Sequence, residues 1–294
     1  MTELIWVNGK VSKLSEAAAN YEDRGHQFAD GVYEVVRVYK GRSGGGVPFT
    51  LTEHLERLER SAEGIKISLP WRVDEVADEV RKVVDQSGMT DGMIYMQLSR
   101  GVSPRNHIYP KNIRASLYFF TRELPPVPAI GTAEGAKLVT VEDERWKRCW
   151  VKAIALLPNV LAKNAAADQG ADEAVFTENG TVTECSASNL FTVGRGVVIT
   201  APVGQKVLPG ITRQVLLDIA GEQGIPVIER NPTEYDCRCG EELFITSTTR
   251  ELSWVSHWNG VQVHDRPGEI TMRLHRAYQE RVRREVGAMS TTLV

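Results

Sequence analysis

Leu124-Pro-Pro-Val-Pro128 is the stretch on which the organisation of this chain turns. Three prolines in five residues fix φ and remove main-chain donors, so neither a helix nor a strand ladder runs through it. We therefore expect an α+β chain in two parts. A smaller N-terminal α/β domain covers 1–123, a linker covers 124–131, and a larger strand-rich domain covers 132–294.

Upstream, Leu4-Ile5-Trp6-Val7 meets Asn8-Gly9, a strong hairpin turn signal. Val32 to Tyr39 (VYEVVRVY) is β-branched and aromatic and reads as a strand. The Gly-rich turn Ser43–Gly46 lengthens a hairpin that returns over Val47–Leu51. Thr52 to Gly64 (TEHLERLERSAEG) predicts a helix with Thr52 as N-cap and Leu55, Leu58 and Ala62 on one face. Val73 to Gln86 predicts a second, with Val73, Val76, Ala77, Val80, Val83 and Val84 as its apolar stripe. Met93–Ser99 and Ala115–Thr121 read as strands. Downstream, strands are expected at 137–141, 173–177, 181–184, 190–193, 197–200, 227–229 and 242–246. Helices are expected near 158–169, 211–223 and 267–286.

The chain has 294 residues, 25% charged and 42% hydrophobic, with a net charge of -3. There is no basic excess to hold nucleic acid and no apolar run long enough for a bilayer span. The first residues lack the basic leader and apolar core of an export signal, which predicts a cytoplasmic protein. Four cysteines (149, 185, 237, 239) are too few for a disulfide framework in a chain of this length. Cys237-Arg-Cys239 is too closely spaced for a zinc pair and has no second pair, so no metal is expected.

Three features could carry chemistry. Lys152 lies in Cys149-Trp-Val-Lys-Ala-Ile-Ala-Leu-Leu157, where a lysine is costly to bury without a purpose, although most lysines simply snorkel. Lys163, in LAKNAAADQGA, is the rival and reads as a solvated helix residue. Glu184 closes a strand in Thr181-Val-Thr-Glu-Cys-Ser-Ala-Ser-Asn189, a place where solvated acids are common. Leu208-Pro-Gly-Ile-Thr-Arg213 puts a turn at a helix start, where the amides and the Thr212 hydroxyl suit a phosphate or only cap a helix. Phe244-Ile-Thr-Ser-Thr-Thr249 leaves a strand into a hydroxyl-rich loop that is a second phosphate ligand or a polar turn. A Schiff-base lysine, an acid for a pyridine nitrogen and a phosphate cup are together what pyridoxal phosphate requires. Each is common alone.

The order of motifs goes further. EDRGHQFADGVYEVVRVY (22–39), EHLERL (53–58), SRGVSPRNHIYP (99–110), VKAIALLPNVLAK (151–163), TVTECSASNLF (181–191), LPGITR (208–213) and FITSTTRE (244–251) resemble the class IV, fold-type-IV transaminases across nearly the whole chain. Within that class they are most similar to the D-amino-acid transaminases. The resemblance implies a pyridoxal 5'-phosphate enzyme with a pseudo-barrel second domain, a cofactor in the cleft between domains, and a homodimer. It implies Lys152 as the cofactor-bearing lysine and proton shuttle, and Glu184 as the partner of the pyridine nitrogen. Arg57, Ile211, Thr212 and Thr248 would hold the phosphate, Leu208 would pack behind the ring, and Tyr33 would line the substrate side. Taken alone, Arg57 could equally form a surface i, i+4 pair with Glu53 or Ser61.

Arg105-Asn-His107 matches the family's Arg-x-His loop, which implies a carboxylate trap contributed from the neighbouring subunit. A guanidinium suits that role by its bidentate grip and permanent charge. On its own the triplet reads as an exposed polar loop. The serine run after Glu184 departs from the family, with Ala187 where another serine is usual. The expected reaction is ping-pong transamination of D-alanine or D-glutamate with 2-oxoglutarate or pyruvate. A branched-chain L-amino-acid or (R)-amine transaminase, or an aminodeoxychorismate-type lyase, would share the cofactor residues.

Overall fold

A computed structural model describes residues 1–131 and 134–289, with side chains to 287. The ends of the expected second domain, 132–133 and 290–294, lie outside these residues. Contacts divide the chain into two compact units. The first comprises Met1–Pro126, Val151–Ala155 and the chain from Val282; the second comprises Val127–Trp150 and Leu156–Arg281. The division is not a single cut, because Val151–Ala155 returns to the first unit.

The first unit is built on a six-stranded antiparallel sheet. Its elements in chain order are β1 (Leu4–Val7), β2 (Lys10–Lys13), α1 (Arg24–Phe28), β3 (Gly31–Lys40), β4 (Gly46–Pro48), α2 (Leu51–Gly64), α3 (Val73–Ser87), β5 (Gly92–Ser99) and β6 (Ser116–Glu123). The strand order is β2-β1-β6-β5-β3-β4. Strand alternation in β3 buries Val32, Glu34, Val36 and Val38 and leaves Tyr33 and Val35 partly exposed. The buried row packs with Leu55 and Leu58 of α2 and Val80, Val83 and Val84 of α3. Each such aliphatic side chain contributes about 1.5–3 kcal/mol when fully buried.

Two boundaries differ from expectation. The strand expected to run to Leu51 ends at Pro48, and α2 begins at Leu51 rather than after a Thr52 cap. The cause is Thr50, held in the left-handed region at φ 50° with no side-chain capping bond, which turns the chain sharply into the helix. The short helix α1 was not expected.

The second unit holds β7 (Ala136–Glu142), α4 (Leu157–Asp168), β8 (Glu173–Glu178), β9 (Thr181–Cys185), β10 (Asn189–Gly194), β11 (Val197–Thr200), α5 (Ile211–Glu222), β12 (Val227–Glu229), α6 (Glu234–Cys239), β13 (Glu242–Ser247), β14 (Glu251–Trp258), β15 (Val261–Gln262) and α7 (Glu269–Met289), the last continuing into the first unit. Its mixed sheet runs β12-β11-β10-β13-β14-β7-β8-β9, with β15 on β14. Phe191 and Phe244 are register partners on β10 and β13 and stack at 4.9 Å in the core. Among the described residues, no helix is long and apolar enough to cross a membrane.

Candidate active site

In the first unit the focus is Glu34, a buried acid in the middle of β3. On α2, His54, Arg57 and Ser61 fall at helical spacing on the face turned to β3, and all three are buried. Arg57 grips Glu34 in two-pronged fashion, Nε donating to Oε1 at 2.6 Å and Nη2 to Oε2 at 2.8 Å. His54 Nδ1 lies 2.7 Å from Oε2. Burial alone would raise the Glu34 carboxyl, but the charges of Arg57 and His54 outweigh it and hold the group well below the usual carboxylate range. Burial, with the charges of Arg57 and Lys152, holds His54 below its ordinary value against the lift from Glu34. Arg57 is therefore an interior group rather than a surface one: its acid partner lies 23 residues away on another element.

Lys152 is fastened to the same place by its main chain. Its carbonyl accepts from Tyr33 N at 2.9 Å, and its own N–H donates to Ser61 Oγ at 3.2 Å. Val32 and Ala153 form a bridge, and Ile154 N donates to the Gly31 carbonyl at 3.1 Å. The Lys152 ammonium sits 4.3 Å from the Tyr33 ring centroid and donates to Tyr33 Oη at 3.3 Å. Among the described residues it has no carboxylate partner. Lys163, by contrast, is engaged in an ion pair with buried Glu173 at 2.9 Å.

Arg105 and His107 are exposed, and both lie near one ring: Arg105 Cζ is 4.6 Å and His107 5.3 Å from the Phe28 centroid. Arg105 has no carboxylate partner among the described residues.

In the second unit Glu184 lies one residue before the end of β9 and is buried. Its Oε1 accepts from Arg145 Nη1 at 2.5 Å, and Oε2 accepts from Asn189 Nδ2 at 3.1 Å and Leu208 N at 3.0 Å. Arg145 also holds both oxygens of Asp143 at 3.0 Å and lies 4.0 Å from the Phe176 ring centroid. Asn189 Nδ2 also donates to the Leu208 carbonyl at 3.0 Å, so one amide ties the acid to the turn before α5. Gly210 is required there: a Cβ would lie 2.0 Å from Asn189 Oδ1.

Gly210 caps α5 with no side chain, which leaves the first-turn amides of Ile211 and Thr212 unsatisfied by a cap. Thr212 is buried and Thr248 half-buried in the turn after β13. The hydroxyl of Thr246, the register partner of Asn189, is buried without a hydrogen-bond partner among the described residues. Buried hydroxyls normally find a partner, so it marks a place for a polar ligand. With the uncapped helix start and the fixed acid, the donor set of this unit fits a phosphorylated pyridine.

Sequence reasoning brought out Lys152, Tyr33 and Arg57, which the structure gathers in one unit, and Glu184, Leu208, Ile211, Thr212 and Thr248, which lie in the other. It missed Glu34, His54, Arg145, Asp143 and Asn189. Glu34 left a signal, being an acid at an inward position of an otherwise apolar strand face.

The profile of the amino-transferase class IV family matches residues 31–258. The D-alanine aminotransferase of Listeria monocytogenes serotype 1/2a (strain 10403S) is 41% identical over 289 residues, covering 97% of this chain and 98% of that protein. That of Staphylococcus aureus (strain MSSA476) is 39% identical over 280 residues, covering 95% and 97%. Among solved structures, the branched-chain amino acid aminotransferase of Escherichia coli superposes with a TM-score of 0.85 at 25% identity, covering 95% of this chain and 94% of the other. The branched-chain aminotransferase of the thermophilic archaeon Thermoproteus uzoniensis, solved with norvaline, gives 0.86 at 26%, covering 95% and 94%.

Proposed function

Because this chain belongs to the class IV aminotransferases, we propose that it exchanges the amino group of D-alanine or D-glutamate with 2-oxoglutarate or pyruvate, using pyridoxal 5'-phosphate. The observation that carries the D-amino-acid reading is Arg105, an exposed guanidinium seated on Phe28 with no carboxylate partner among the described residues. Such a group is available for a substrate α-carboxylate, with His107 beside it and Tyr33 as a further ligand.

When bound, the cofactor supplies a protonated pyridine ring that stores the electrons released at the substrate α-carbon. Lys152 would hold it and move the proton at that carbon, with its amine steadied by the Tyr33 hydroxyl. Glu184 would serve the pyridine nitrogen as a carboxylate whose oxygens are fixed by Arg145, Asn189 and Leu208 N. By the family resemblance the phosphate would fall to Arg57, Thr212, Thr248 and the Ile211 amide, with Leu208 behind the ring. Arg57 is preorganised for this because Glu34 fixes its Nε and Nη2.

The enzyme works as a cytoplasmic homodimer that binds neither nucleic acid nor membrane. Support comes from four free thiols, a net charge of -3, and an apolar stripe on α4 of Leu157, Val160 and Leu161, which are 67%, 50% and 60% exposed.

A panel of D- and L-amino acids and (R)-amines with 2-oxoglutarate tests the reading. D-alanine and D-glutamate should be turned over fastest. Preference for L-leucine, or for an amine without a carboxylate, would overturn it. Loss of the visible cofactor band in Lys152→Ala checks the lysine.

A further inference from the structure

The Arg105–His107 loop is exposed, yet it is not left to find its own shape. Beneath it lies a cluster that the reaction does not use: the buried guanidiniums of Arg24 and Arg100, both paired with the partly buried Asp30. We infer that Arg24 is a positioning residue for the substrate carboxylate, acting through the main chain of the loop that carries Arg105 and His107. This inference rests on the D-amino-acid reading and deepens it.

The geometry runs from β5 outward. Asp23 caps α1, accepting from Gly25 N at 2.7 Å, and also takes the Ser99 hydroxyl at 2.8 Å, which pins the start of α1 to the end of β5. Arg24 N donates to the Gly101 carbonyl at 2.9 Å. The Arg24 guanidinium then spends its donors on three acceptors. Nε goes to Asp30 Oδ2 at 2.8 Å, Nη1 to the Asn106 carbonyl at 2.5 Å, and Nη2 to the His107 carbonyl at 3.5 Å, the weakest of the set. Its Cζ lies 4.7 Å from the centroid of Phe28, the ring that also seats Arg105.

Asp30 is the shared anchor. Its Oδ2 takes Arg100 Nε as well, and its Oδ1 takes Arg100 Nη2 at 2.9 Å. Arg100 reaches the Ile65 and Lys66 carbonyls at the end of α2 and lies 3.9 Å from the Tyr109 ring centroid. The loop is thus gripped at two carbonyls by Arg24 and at its far end by Arg100. Two adjacent carbonyls fixed in space set the direction in which Arg105 and His107 leave the main chain. A planar guanidinium can serve an acid and two carbonyls together; an ammonium on a flexible stem cannot hold that pattern.

The test uses the full-length holoenzyme with D-alanine and 2-oxoglutarate. In Arg24→Lys, the KM for D-alanine should rise between about 10- and 100-fold, the range expected when a binding group is displaced by about 1 Å, while kcat changes far less. Asp30→Asn, which keeps volume but weakens the anchor, should move KM the same way by less, and it serves if Arg24→Lys does not fold. In an Arg105→Ala background, Arg24→Lys should add nothing to KM, because the residue it positions is gone. Equal falls in kcat and 1/KM, or additivity with Arg105→Ala, would show a general structural role and overturn the proposal. An enzyme sensitive to Arg105→Ala but indifferent to both Arg24→Lys and Asp30→Asn overturns the proposal alone. One indifferent to Arg105→Ala overturns the D-amino-acid reading and takes the proposal with it.

Discussion

Replacing Arg145 with Met removes the guanidinium that two buried carboxylates share. Asp143 is left with its bond from the main-chain N of residue 145 at 3.1 Å and with Lys206 Nζ at 3.6 Å. Glu184 keeps Asn189 and Leu208 N but loses the positive charge beside it. Met preserves much of the contact with Phe176, so the change isolates charge and hydrogen bonding. Breaking a buried pair from one side costs about 3–5 kcal/mol, because an uncompensated charge remains. At about 2–4 °C per kcal/mol for a protein of this size or slightly smaller, the unfolding midpoint should fall by roughly 6–20 °C. Urea unfolding followed by circular dichroism, with an unchanged m value, measures the loss directly. A second variant sharpens the logic. Asp143→Leu added to Arg145→Met should restore part of the stability, since removing both partners is far cheaper than removing one. If Arg145→Met lies within about 1 kcal/mol of the parent, or if the double variant is worse by the full sum, the pairing does not hold this unit together as argued.

Three further outcomes are expected. His54 faces Glu34, Arg57 and Lys152, and burial holds its pKa below the ordinary value, so below about pH 6.5 the unfolded chain takes a proton that the folded one refuses. Its contribution is complete above that pH and is lost as pH falls. The urea midpoint should therefore drop more steeply between pH 7 and 5 in the parent than in His54→Gln, with His264 and His275 acting the same way in both; equal slopes would refute it. Burial pushes the Cys149 thiol up to about 11 and raises Cys185 and Cys237 further, whereas Cys239 is exposed, so Ellman's reagent should titrate one thiol quickly and the other three only after unfolding. Val160→Asp on the α4 stripe should shift the light-scattering mass from dimer toward protomer, and an unchanged mass would remove that stripe from the interface.

What could be read in the sequence follows from how far apart the interacting residues are. The stripe Val76, Ala77, Val80, Val83, Val84 declares α3 because its period is local, and Val197–Thr200 needs nothing beyond itself to read as a strand. β14 escaped notice because Glu251–Trp258 is buried on both faces, with Ser256 taking an inward place, which erases the period-two pattern. Arg57 looks like one more charge on a polar helix; only its partner across 23 residues makes it an interior group. Lys152 has no local mark beyond apolar neighbours, and the bonds that fasten it reach back to Gly31, Tyr33 and Ser61. Arg145 shows no period at all, sitting in a loop whose acids lie 2 and 39 residues away. Motif order supplied what local pattern could not.

The five-residue return of Val151–Ala155 sets a timetable for synthesis. The first 126 residues leave the ribosome with the backbone groups of Gly31 and Tyr33, and the Ser61 hydroxyl, still waiting for acceptors and donors carried by residues 152 and 154. Its last pieces arrive only after Val282, so the unit made first is the one finished last. The same interleaving governs recombination. A chimera that exchanges this unit with a relative must carry three separate segments, because a swap cut at Pro126 alone would leave behind Lys152, the residue proposed to bear the cofactor.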